Sequence, residues 1–154
     1  MSITVEGIFD VESLVARISV EAPRRVMATM NKNAMLVAAT ARKMAPELDG
    51  NLEDSIMVSP ASQGRDEAGR FVVASADVYL DLDHAAKHGG TVGQYAYIMH
   101  EYLTPAGDMQ LGDQSQLKQA QVDVEVGGWF LYRALEHYAD IIYHDAVLAA
   151  EEGY

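Results

Sequence analysis

Histidines and carboxylates are the residues of this chain best equipped for chemistry, and two groupings bring them near one another. Asp81, Asp83, His84 and His88 lie close together, and two histidines four apart share one face if their segment is helical, a spacing that suits a metal ion. This segment instead leaves a strand pattern and enters Gly89-Gly90, so a solvated loop is the favoured reading over a metal site. His137, Asp140 and His144 recur at spacings of three and four in a helical stretch. A surface or interface cluster is favoured there, with a metal ion as the alternative. His100-Glu101 begins like a zinc-protease motif, but Tyr102-Leu103-Thr104 supply no second histidine.

Patterns for covalent chemistry are missing. There is no G-x-S-x-G elbow to expose a serine and no G-x-x-x-x-G-K-[ST] loop to cradle a phosphate. Gly89-Gly90-Thr91-Val92-Gly93 is glycine-rich but lacks the lysine that makes such a run a phosphate site. Cysteine is absent, which removes thiolate nucleophiles, thiolate zinc ligands and disulfides together. Carboxylates are so numerous that no acid–base pair stands out. The expectation is a protein that is not an enzyme, with no catalytic residue, no cofactor and no metal.

The elements that would position these residues follow from periodicity. Ile3 to Phe9 alternates apolar with small or polar residues and reads as a short strand. Asp10 suits the N-cap of a short helix carrying Val11, Leu14, Val15 and Ile18, and Pro23 suits the first turn of a second helix. Met27, Met30, Ala34, Val37, Ala41 and Met44 then form one stripe of about six turns at 3.6 residues per turn, ended by Pro46. The stripe faces the core, or in part a neighbouring subunit. Asp49-Gly50-Asn51 marks a turn.

Ile56-Met57-Val58 reads as a strand, residues 63–69 as a polar loop, and residues 70–82 as the clearest strand, with Val72, Ala74, Ala76, Val78, Leu80 and Leu82 on one face. Together they predict a long β-hairpin that projects as an arm. Residues 84–94 read as loop and 95–102 as a short helix. Residues 104–121 read as irregular, and Gly127-Gly128 introduces a last helix with Leu131, Ala134, Leu135, Tyr138, Ile141, Ile142, Leu148 and Ala149 inward.

The 154 residues predict a single domain, 1–154, with a modest core. Apolar residues make up 49% and charged ones 22%, an ordinary globular balance. No apolar run reaches the roughly 20 residues of a membrane span, and the first residues lack a basic start before an apolar run. A cytoplasmic chain without a membrane partner is expected, at least until assembly. A net charge of −12 repels phosphate backbones and argues against tight nucleic-acid binding. It serves solubility, or it lines a passage through which DNA slides without sticking.

Two segments and the order of elements resemble the tail-completion, or head–tail joining, proteins of long-tailed bacteriophages. The first runs Ala41-Arg42-Lys43-Met44-Ala45-Pro46-Glu47-Leu48-Asp49-Gly50-Asn51-Leu52-Glu53-Asp54-Ser55-Ile56: a helix ending in Ala-Pro, a glycine turn, then Leu and Ser-Ile. Here Asp49 stands where the family usually has threonine, and Glu53 where a basic residue is common. The second segment is Tyr95-Ala96-Tyr97-Ile98-Met99-His100-Glu101 with the later Phe130-Leu131-Tyr132-Arg133-Ala134-Leu135, separated by a loop longer than the common one.

The resemblance implies an α+β subunit, with helices packed on a small antiparallel sheet. It implies a structural virion protein of the phage neck, a homo-oligomeric ring of six- or twelve-fold symmetry at the head–tail junction. Its partners would be copies of itself and the neighbouring neck, portal-adaptor and tail proteins, with DNA passing through the ring without tight binding. The chain would reside in the host cytoplasm before assembly and in the virion afterwards. Candidate intersubunit contacts are Arg65, Asp66 and Glu67 on the hairpin tip and His100, Glu101 and Tyr102 before the long loop. Alternatives are a tail terminator or minor tail subunit, or a prophage-encoded acidic binding module.

Overall fold

Apolar and small residues at spacings of three and four over residues 27–44 lie in one very long helix. The computed structural model describes residues 8–47, 50–65, 67–68, 71–73, 75–101 and 110–151, with backbone only for 8–19, 71–73 and 101. Helix α1 spans Ile8–Met44 without a break. The expected N-terminal strand therefore lies outside the described residues up to Gly7, and Ile8 and Phe9 are helical. Asp10 is interior to the helix and not at its start. Pro23 does not begin a second helix but sits within the first. Its fixed φ is already helical, so the local loss is the one hydrogen bond its missing N–H would make, and packing elsewhere along the helix holds the chain in register.

Ala34, Val37, Ala38, Ala41 and Met44 are buried, so the small side chains of the expected stripe do face the core and let other elements approach closely. The helix ends one residue before Ala45-Pro46. Gly50 takes a left-handed conformation (φ 77°) that a side chain would disfavour, and it turns the chain into the short helix α2, Asn51–Asp54. Leu52 and Ile56 then pack back onto α1.

Strands β1 (Ile56–Ser59), β2 (Gln63–Arg65), β3 (Phe71–Val73) and β4 (Asp77–Leu80) make one antiparallel hairpin in two short ladders. Ile56 pairs with Leu80 and Ser59 with Asp77 in the base, and Gln63 with Val73 and Arg65 with Phe71 further out. The expected hairpin is present, but part of its expected loop is strand β2, and the single long strand is two. The hairpin runs alongside α1. Arg42 donates to the Ile56 carbonyl, and the Ala61 N–H donates to Asn31 Oδ1 at 2.7 Å. Eleven helical residues and five extended ones both cover about 16 Å, so the two elements advance at the same rate.

Helix α3 (Gly93–Glu101) follows a turn closed by the Gly93 N–H on the Leu82 carbonyl at 2.8 Å. Residues expected to be irregular include helix α4 (Asp113–Gln119). Helix α5 (Phe130–Glu151) packs antiparallel on α1, tied by Thr40 to Tyr138 at one level and Arg25 to the Ala149 carbonyl at another. The result is α+β: helices against a small antiparallel sheet, with Val37, Ala38, Ala41, Ile56, Val92 and Phe130 at the centre of the core.

Candidate interaction surface

Helix α5 carries more apolar surface than its own fold covers. At 100° per residue, its apolar side chains from Phe130 round to Tyr143 occupy an arc of about 220°, interrupted by Asp145, whereas a helix with one buried face needs an arc of roughly 100°. Phe130, Ala134 and Ala149 are buried. The expectation that Leu135, Ile141 and Leu148 also face inward is corrected: they are 50%, 49% and 43% exposed. The reason is geometric, since α1 and the hairpin can cover only the middle of so wide an arc. One flank, Tyr132, Leu135, Ala139 and Tyr143 at spacings of three and four, faces solvent.

The start of α5 extends this face. Trp129 adopts a left-handed backbone (φ 56°), costly for a residue with a bulky side chain. It is held there at both ends. Its N–H donates to the His100 carbonyl at 2.7 Å, and its own carbonyl accepts from the Arg133 N–H at 2.8 Å. The held conformation leaves the indole 41% exposed, edge-on to Tyr132 with ring centres 6.5 Å apart. Tyr97 and Ile98 are exposed on α3, the helix whose His100 carbonyl accepts from Trp129.

Between β4 and α5 the surface sinks into two hollows. One, of about 370 Å³, lies among Met30, Ala34 and Val37 of α1, Val78 of β4, and Leu131 and Leu135 of α5. The other, about 240 Å³, is lined by Leu80, Leu82, Ala96, Tyr97 and Leu131. Leu131 belongs to both; the larger meets the chain at Ala76 to Val78 and the smaller at Leu80 and Leu82, so the two hollows follow one another as a trough beside β4. Asn33 also lines the larger hollow. Its side chain is 3% exposed, and neither Oδ1 nor Nδ2 has a hydrogen-bond partner. A buried amide left so costs about 1–3 kcal/mol.

The C-terminal end of α1 is closed. Lys118 of α4 is 8% exposed and its ammonium donates to the carbonyls of Arg42 and Ala45 at 2.6 and 2.7 Å, and to Glu53. It thus caps the free carbonyls at the C-terminus of α1, where positive charge is favoured. Ser115 Oγ accepts from the Glu47 N–H and donates to the Glu47 carbonyl, and the Gly127 N–H donates to the Met44 carbonyl. Sequence reading missed Lys118 and Ser115 because they lie in a polar stretch with no apolar period. On the rim, Lys43 holds the Asp123 carboxyl below the ordinary carboxylate range, mainly through a hydrogen bond. Burial lowers the Arg133 guanidinium, and Glu125 partly opposes this.

No protein-family model, curated protein or solved structure matches this chain.

The contact candidates from sequence do not form one patch. Arg65 and Glu67 are exposed at the outer end of the hairpin, nine residues or up to about 30 Å beyond its base at Ile56. His100 is half-buried near that base, its ring against Trp129 and Phe130 at 5.7 and 5.0 Å. Glu101 ends α3 with no side chain described, and Asp66 and Tyr102 lie outside the described residues. Among the described residues no three His, Asp or Glu side chains are placed to hold a metal, neither around Asp81, Asp83, His84 and His88 nor around His137, Asp140 and His144. No described helix is long and apolar enough to cross a membrane. What this arrangement offers chemically is apolar contact and unpaired backbone, which suits binding another polypeptide.

Proposed function

We propose that this chain is a non-enzymatic structural subunit of a phage neck, assembling with copies of itself into a ring that joins head to tail around the DNA channel. The observation that carries the self-assembly is the uncovered flank of α5, continued by Trp129 and by Tyr97 and Ile98 of α3. Covering a large apolar side chain is worth about 1.5–3 kcal/mol, so an aromatic-rich face of this kind favours a protein partner over water. The phage context rests on the sequence resemblance, and the α+β architecture agrees with what that resemblance implies.

A head-to-tail contact that uses different patches on the two subunits either closes into a ring or grows into a filament. With the α5 flank as one patch, the hairpin end carrying Arg65 and Glu67 is the proposed other. The net charge of −12 fits a channel wall that repels DNA and lets it slide. Negative-stain electron microscopy of the purified protein, with mass spectrometry of separated heads and tails, tests this. Closed rings, and the chain at the junction of finished particles, are expected. A strictly monomeric protein that is missing from purified virions would overturn the proposal.

A further inference from the structure

The trough beside β4 has the shape of a missing strand. Antiparallel geometry alternates which residues bond across a pair. The Asp81 N–H donates to the Ser55 carbonyl, so the bonded partners in the base ladder are Ser55 with Asp81, Met57 with Tyr79, and Ser59 with Asp77. The peptide groups of Val78 and Leu80 consequently point away from β1. Among the described residues no other backbone group bonds them, and this edge borders the trough. On the α1 side the wall of the larger hollow includes Asn33, whose amide is buried and has no hydrogen-bond partner.

We propose that residues 2–7 of a second copy of this chain occupy the trough as a third strand on β4. The proposal rests on the self-assembly reading above and supplies one of its contacts. Ser2-Ile3-Thr4-Val5-Glu6-Gly7 alternates as β4 does. With Ile3 and Val5 turned to the trough, beside Val78 and Leu80, the polar residues lie on the solvent side with Asp77 and Tyr79. The lengths agree, since the trough from Ala76 to Leu82 is about 20 Å and six extended residues cover the same distance.

The segment must come from another molecule. Helix α1 carries Ile8 about 33 Å beyond Met30 at the edge of the trough. The five residues from Ile3 to Gly7 reach at most about 18 Å. A chain therefore cannot fill its own trough but can fill its neighbour's, which makes the contact head-to-tail. Addition of a strand to an open edge takes its affinity from main-chain bonds and its selectivity from alternate side chains.

The natural absence of cysteine permits a direct test in the full-length chain. A Val5→Cys preparation is mixed with a Leu80→Cys preparation under mild oxidation, and mixed dimers are read on a non-reducing gel. A parallel mixture uses Asp140→Cys on the exposed polar side of α5. We expect mixed dimers with Leu80→Cys to form at least tenfold faster than with Asp140→Cys. Adding Val78→Pro to the Leu80→Cys chain should remove that advantage, because proline deletes an N–H that β1 does not use and so leaves the base ladder intact. Equal rates with both partners overturn the proposal, as does a rate unaffected by Val78→Pro. So does faster coupling of Leu80→Cys to Glu67→Cys, which would make a neighbour's hairpin turn the occupant. Rings of the unmodified protein without the cross-link would refute the strand and leave the neck reading standing. Cross-linked chains missing from finished particles would do the reverse.

Discussion

Two sites along the trunk helix deal with buried polarity in opposite ways. At the C-terminus of α1 the exposed helix carbonyls are met by Lys118, Ser115 closes a reciprocal pair with Glu47, and Gly127 bonds Met44. About three turns back along α1 from this cluster, Asn33 is buried as deeply and its side chain bonds to nothing. Beside it the β4 edge is open and the flank of α5 is bare. The contrast teaches where the fold is complete within one chain and where it is finished by another. Polar groups satisfied internally stabilise the monomer, while those left unsatisfied beside an apolar trough cost the monomer and reward a partner.

Substitutions should fall on either side of this divide. The largest effect belongs to the sealed core. Phe130→Ala, at a side chain with 0% exposure, should destabilise the chain by about 4 kcal/mol in urea unfolding, through lost transfer energy and the cavity left behind. Lys118→Met should cost about 3 kcal/mol, because it strands Glu53 and two helix carbonyls in a mostly buried place. A loss below 1 kcal/mol would mean that the closed end does not depend on that cation.

On the open side the sign reverses. Asn33→Leu should raise the stability of the isolated chain by about 1 kcal/mol, since it removes an unpaired buried amide at similar volume. A comparable loss in thermal or urea unfolding would show that Asn33 serves the monomer. Leu135→Ser on the exposed flank should leave monomer stability within about 0.5 kcal/mol and weaken self-association several-fold in sedimentation.

The smallest effect concerns Asp123. Its folded-state pKa is lowered by Lys43, so the contribution is present above the unfolded carboxylate's pKa and disappears as pH falls through the lowered folded value. A slight acid-side loss of stability, screened by salt and absent in Lys43→Met, is expected in pH-dependent unfolding.

Local signals made much of this molecule legible. The stripe from Met27 to Met44 reads as one helix face turned to the core or in part to a neighbour, and its members from Ala34 on are buried; Gly50 marks a turn, and the alternation around Val78 and Leu80 a half-buried strand. These follow from periods of 3.6 and 2 and from glycine's tolerance of positive φ, properties that belong to the chain before it folds. Pro23 was misread because proline signals a helix start and a helix interruption with the same residue. Only contacts far along the chain decide between them.

Tertiary structure alone decided which apolar residues stay uncovered. Leu135 and Leu131 look alike in sequence, yet Leu135 is half exposed whereas Leu131 packs against the core, because α1 and the hairpin cover just part of the wide arc of α5. It alone brought Lys118 to the end of α1, across 76 residues of chain from Arg42. It also placed Asn33 beside an open strand edge. Periodicity records a side chain's direction relative to its own element, whereas burial depends on what other elements place opposite it. That second quantity is set by the whole fold at once.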